Sequence, residues 1–153
     1  IIMRWHNKFM KEQEEITHFI KGQKMGIEIL KLFKKKTSDI SIINELNSSI
    51  EVYEARLKEL LELYRNSYNM SEPEMTFFQK RAIFFTKMEL MTIKTDRKLI
   101  RYIAKTVSMG TTGALKFLEK VENRHKERIS LYKQTVQDYL NTYTKFSSML
   151  LVD

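Results

Sequence analysis

Few residues in this chain have the type and spacing that chemistry needs. Its three histidines, His6, His18 and His125, are the first candidates for proton transfer or metal binding. No two of them lie within a turn or two of one another. His6 and His18 sit among charged residues and read as surface. His125 falls on the apolar seam of the last helical stretch, where a histidine is most often part of a packed core. If it faces a cavity, it could instead hydrogen-bond a carboxylate and change charge near neutral pH. Acid–base catalysis by carboxylates needs two of them in a cleft. Here Glu14 and Glu15, and the series Glu45, Glu51, Glu54, Glu59 and Glu62, fall on outer helix faces. A di-iron bundle of the ferritin type, which takes Glu-x-x-His pairs among its ligands, is not expected from the spacing of these residues. Gly110-Thr111-Thr112-Gly113 lacks both the fingerprint of a phosphate loop and the strand that precedes one, so it reads as a turn. Without cysteine there are no disulfides and no thiolate metal sites. These residues form no catalytic constellation, and the chain reads as a non-enzyme with neither metal nor haem.

Charge says more. The net charge is +8 over 153 residues, which favours anionic partners: nucleic acid, an anionic membrane, or a small carboxylate or phosphate. Stretch 80–105 holds Lys80, Arg81, Lys87, Lys94, Arg97, Lys98, Arg101 and Lys105 against Glu89 and Asp96. It reads first as a solvated basic face, and Arg81, Lys87, Arg97 and Arg101 are the candidates to hold an anionic head group. Stretch 100–120 reads loosely as helix, turn, helix. A DNA reader of that kind wants base-reading side chains early in its second helix, and Thr111, Thr112 and Lys116 supply little.

The elements that must position these residues are helical nearly end to end. The first carries Trp5, Phe9, Ile16, Phe19 and Ile20, and Gly22 and Gly26 predict a kink or break in it. Met25, Ile29, Leu32 and Phe33 continue the face to Lys34, Lys35 and Lys36, which suit a helix C-terminus. Thr37, Ser38 and Asp39 are caps for a second helix bearing Ile42, Leu46, Ile50, Tyr53, Leu57, Leu60 and Tyr64. Ser71 and Glu74 predict a capping box around Pro73. The helix after it, with Phe77, Phe78, Ile83, Phe84, Phe85, Met88 and Met91, is expected to be central and buried. Thr95 and Asp96 restart the chain, Leu99, Ile100, Ile103, Ala104 and Val107 form a short helix, and 108–113 form a turn. A last helix is expected over 113–146. At 1.5 Å per residue it would span roughly 50 Å, against a domain radius of gyration near 15 Å. That length, with the apolar end Met149-Leu150-Leu151-Val152, predicts a homodimer. No apolar run is long enough to span a bilayer, and residues 1–11 mix Arg4, His6, Lys8 and Lys11 into apolar positions, unlike a secretory signal. A cytoplasmic location is expected.

The helix order, the Phe-rich helix 77–91, the long closing helix, and the lack of histidine over 19–124 together resemble the non-haem globin sensor domains of spore-forming bacteria. Such domains occur in stress regulators and sporulation histidine kinases, and as stand-alone plasmid-encoded sporulation inhibitors. The resemblance implies one all-α, globin-like domain without haem over 1–153, with about six helices and a long C-terminal helix. It implies a fatty acid in an apolar tunnel, a small anion such as chloride nearby, and regulation by competition with a sensor histidine kinase. Its pocket would be lined by Phe77, Phe84, Phe85, Met88, Met91 and Ile103, with His125, Tyr132 and Tyr139 opposite. Two alternatives remain open at the sequence level: a basic helical DNA-binding regulator, and a helical adaptor that binds only protein.

Overall fold

The structure, a computed structural model, describes residues 1–121 and 126–152, apart from the side chains of 5, 6, 8–10 and 126. It is all-α. The described residues form five helices: α1 (Ile2–Lys36), α2 (Ile40–Tyr68), α3 (Phe77–Leu90), α4 (Asp96–Lys120) and α5 (Lys126–Met149).

Several boundaries follow directly from residue type. Lys34, Lys35 and Lys36 occupy the last turn of α1, where cations complement the helix dipole. Asp39 caps α2 by accepting the Ile42 N–H at 3.0 Å. Asn69 ends α2 in the left-handed conformation (φ 50°), donating its N–H to the Arg65 carbonyl at 2.8 Å. Thr95 caps α4 through the Lys98 N–H at 3.2 Å.

Three boundaries differ from expectation. The first is at Gly22 and Gly26, which do not interrupt α1. A buried stripe of Ile16, Phe19, Ile20, Gln23, Ile27 and Leu30 runs through them, and burying each large apolar side chain is worth about 1.5–3 kcal/mol, more than a helical glycine costs. The second is the expected turn at 108–113, which is continuous helix. Thr111 and Thr112 donate to the Val107 and Ser108 carbonyls, and Ala104, Val107, Thr111 and Ala114 form a buried stripe with helical spacing. The chain instead leaves α4 at Val121, so the expected last helix over 113–146 is divided between α4 and α5. The third is the start of α3, which comes after Pro73 rather than around it. Thr76 is the N-cap, and Gln79 Oε1 accepts the Thr76 N–H at 2.7 Å.

Four helices close a ring in the order α1, α2, α5, α4. Every neighbouring pair is antiparallel. Thr17 meets Tyr64, and Lys31 meets Glu54, between α1 and α2. Tyr53 meets Tyr139, and Glu45 meets Lys145, between α2 and α5. Phe117 meets Tyr132, and Arg97 meets the Leu150 carbonyl, where α4 runs beside the closing helix. Phe19 stacks on Phe117, and Phe33 meets Tyr102 edge-on, between α1 and α4. One contiguous core fills the ring, with Phe33, Leu46, Leu60, Leu99, Ile103, Tyr132 and Phe146 fully buried. Segment 69–95 is the crossover from the end of α2 back to the start of α4. α3 lies within it, packed on α1 outside the ring.

Candidate functional site

The antiparallel pairs Phe19–Phe117 and Phe33–Tyr102 fix the register of α1 against α4. That register places Gly22 opposite Gly113 and Gly26 opposite Gly110. These are all four glycines of the chain. None has positive φ, and a Cβ added at any of them would meet nothing within 4 Å. They serve neither a turn nor a close approach of two backbones. They leave space between the helices.

That space is a cavity of about 690 Å³ between α1, α3 and α4, reaching inward to α2 and α5. All four glycines line it. Its inner end is aromatic: Phe19 and Phe117 stack with centroids 4.2 Å apart, and Tyr53 meets Tyr139 edge-on at 5.0 Å. Ile29, Leu30, Val107 and Ala114 complete the apolar wall, with Ala82 and Thr86 of α3 across from them. Polar groups at the buried end are few. Gln23 is buried, and the Tyr53 hydroxyl is buried without a hydrogen-bond partner. The Thr142 hydroxyl is directed instead to Ser49 and the Asp138 carbonyl. Burial pushes the Tyr53 and Tyr139 phenols well above the ordinary tyrosine range.

The rim is charged at both ends. Lys116 and Lys120 of α4 line it near Glu15 and His18 of α1, and Lys105 lines it near Glu89 of α3, about 16 Å away along α4. At the Lys105 end the Tyr102 hydroxyl donates to Glu89 Oε2 at 2.6 Å, clasping α4 to α3. Burial first, and then the neighbouring Glu89 carboxylate, push the Tyr102 phenol up to about 12. The three lysines have no acidic partner among the described ion pairs. A concave, mostly apolar cleft of this volume with a few polar groups at its ends suits an elongated apolar ligand with an anionic head.

The chain matches no family model, no curated protein and no solved structure.

Of the residues expected to line a pocket, Tyr139 does so. Ile103 and Tyr132 are fully buried but belong to the packed core; Tyr132 lies edge-on to Phe19 and Phe117, at 6.0 and 4.9 Å. His125 lies outside the described residues. The expectation fails for α3. Phe77, Phe84, Phe85, Met88 and Met91 do not face the interior; they are 78%, 58%, 48%, 49% and 68% exposed. α3 packs on α1 through Gln79 and Leu90, with Ala82, Ile83 and Thr86 half-buried, and this leaves the phenylalanines on the opposite face. The expected head-group cations are also elsewhere. Arg81 lies over the Phe85 ring at 5.3 Å, Arg97 donates to the Leu150 carbonyl, and Lys87 and Arg101 are exposed away from the cavity lining.

Two further expectations from residue spacing do not hold. Glu15 stands three residues before His18, and Glu122 three before His125. The Glu-x-x-His pattern of di-iron bundles is therefore present, and its spacing does not exclude such a site. In the structure His18 is exposed, and among the described residues no three His, Cys, Asp or Glu side chains converge. The helix–turn–helix arrangement of a duplex reader is not formed over 100–120, because α4 runs straight through it. Among the described residues no helix is long and apolar enough to cross a membrane.

Proposed function

We propose that this chain is a ligand-sensing helical domain that binds a fatty acid, with its acyl chain in the glycine-lined cleft and its carboxylate at Lys116 and Lys120. The cleft carries this reading. All four glycines of the sequence line one cavity, and no neighbour's packing requires any of them. Burying an acyl chain gains about 0.8 kcal/mol per CH₂, so such a site needs few polar contacts. Ammonium groups at the mouth supply the charge complement for a carboxylate. The Tyr102–Glu89 clasp closes the opposite, Lys105 end, so an acyl chain long enough to reach it rearranges the clasp and moves α3 relative to α4.

The resemblance to sporulation sensor domains extends the proposal to a pathway. In that reading the chain takes up the lipid signal of a sensor histidine kinase, or competes with the kinase's own sensor domain, and so inhibits sporulation.

Mass spectrometry of the protein under native conditions, and then after organic extraction, tests the ligand. A stoichiometric fatty acid, or a thermal shift with added oleate that Lys116→Glu/Lys120→Glu weakens, supports the reading. A ligand-free mass and a melting temperature indifferent to oleate refute it.

A further inference from the structure

The outer face of α3 is left without a partner. Phe77, Phe84, Met88 and Met91 fall on one side of the helix, opposite Gln79 and Leu90, the two residues it buries against the body. Phe78 and Phe85 widen this face along one flank, and both are exposed. An apolar face of this size is normally buried in a helix of a folded domain. The charges that α3 itself sets within and beside Phe77, Phe84, Met88 and Met91 are basic. Lys80 and Lys87 line one flank, and Arg81 stands within the face, over the Phe85 ring. Glu89, the one acid of α3, is turned aside to the Tyr102 hydroxyl. At the C-terminal end Lys94 donates to the Met91 carbonyl, which keeps another cation beside the patch.

We infer that α3 is a peripheral docking helix for an anionic lipid surface, inserting its phenylalanine and methionine face while Lys80, Arg81 and Lys87 meet the head groups. Three observations favour lipid over another occupant. Phenylalanine on one face with lysine and arginine beside it is the composition of helices that lie in the membrane interface. α3 packs on α1 outside the ring and meets α4 at the Tyr102–Glu89 hydrogen bond, so its outer face is a ridge that lipid can enclose; of the face residues, the groove between α3 and α1 takes in Phe78 alone. A second copy set face to face would bring Lys80, Arg81 and Lys87 against their own equivalents, which is repulsive. The inference does not depend on what fills the cleft, because none of these outer-face residues lines it.

Co-sedimentation of the full chain with phosphatidylcholine vesicles, with and without phosphatidylglycerol, tests the inference. The protein should sediment with the phosphatidylglycerol vesicles, stay in solution with phosphatidylcholine alone, and be released by high salt. Phe84→Ser/Met88→Ser should weaken binding by about tenfold or more, with circular dichroism and melting temperature unchanged. Lys80→Glu/Lys87→Glu should weaken it comparably. Absence of binding to phosphatidylglycerol vesicles at low salt overturns the inference, as does binding that neither double variant reduces. A dimeric mass in sedimentation equilibrium that becomes monomeric in Phe84→Ser/Met88→Ser would assign the face to a second copy and overturn it as well.

Discussion

A glycine inside a helix costs about 1 kcal/mol relative to alanine, so four of them on two facing helices are a standing expense in stability. Because a methyl group at each would meet open space, Gly26→Ala and Gly110→Ala should each stabilise the ligand-free protein by about 0.5–1 kcal/mol in urea denaturation. If α1 and α4 instead close on each other in solution, the same substitutions would destabilise it, so the sign decides whether the cavity exists. The orphaned Tyr53 hydroxyl gives a parallel test. A buried hydroxyl without a partner costs about 1–3 kcal/mol, so Tyr53→Phe should raise stability by about 1 kcal/mol. The raised tyrosine pKa values have a definite sign. A phenol whose folded pKa lies above its unfolded value stabilises the fold fully below the ordinary tyrosine range, near 10, and that contribution is lost as pH rises through the folded value. For Tyr102 the window runs from about 10 to about 12, and burial moves Tyr53, Tyr132 and Tyr139 the same way. Stability measured against pH should fall steadily above pH 10, with tyrosinate absorbance rising in step; a flat profile across that window would refute the assigned burial.

Elements differ in how tightly they are held, and α3 is the loosest. Its two buried residues contrast with the continuous stripes of α2 and α4. Substitutions on its outer face should leave global stability within about 0.5 kcal/mol. Leu46→Ala, in the fully buried ring, should cost about 2–5 kcal/mol. The α2–α5 seam is held by Arg56, whose Nε donates to Asp138 Oδ2 at 2.8 Å while Nη1 reaches Gln134 and Glu59. Asp138→Ala would leave that guanidinium half-buried without its main acceptor. The element scale also shows what was legible in the residues. The stripes of α1, α2 and α5 and the caps Asp39 and Thr95 were legible because periodicity and capping are local. The turn at 108–113 and the break at Gly22 were misplaced because burial across helices outweighs glycine's local cost, and burial is not local. α3 misled for a related reason. A dense run of phenylalanine shows that a face is apolar but not which side of the helix the body occupies, and Gln79 rather than a phenylalanine turned inward. The cleft itself left one signal, glycines spaced i, i+4 and i, i+3 within two helical stretches, and this pattern reads equally as a kink until the two stretches are known to face each other.

At the scale of the whole molecule, the ring and the cleft are linked through one equilibrium. A ligand that enters the folded chain and not the unfolded one stabilises the fold by RT ln(1 + [L]/Kd), about 2.7 kcal/mol at a hundredfold excess over Kd. For a domain of this length each kcal/mol raises the melting temperature by roughly 2–4 °C, so saturating oleate should raise it by roughly 5–10 °C. Filling the space removes the effect by the same logic. Gly22→Leu and Gly113→Leu face each other across the cleft and meet no neighbour at the first carbon. The double variant should therefore keep or raise the ligand-free melting temperature while losing the oleate shift. Hydrogen exchange separates this outcome from a merely stiffened bundle. α3 joins the body through α1 and the Tyr102–Glu89 clasp, so its amides should exchange well before those of α2 in the free protein. Bound ligand should slow α3 in the parent chain and not in the filled variant. If α3 slows in both, the ligand is acting through its exposed face rather than through the cleft.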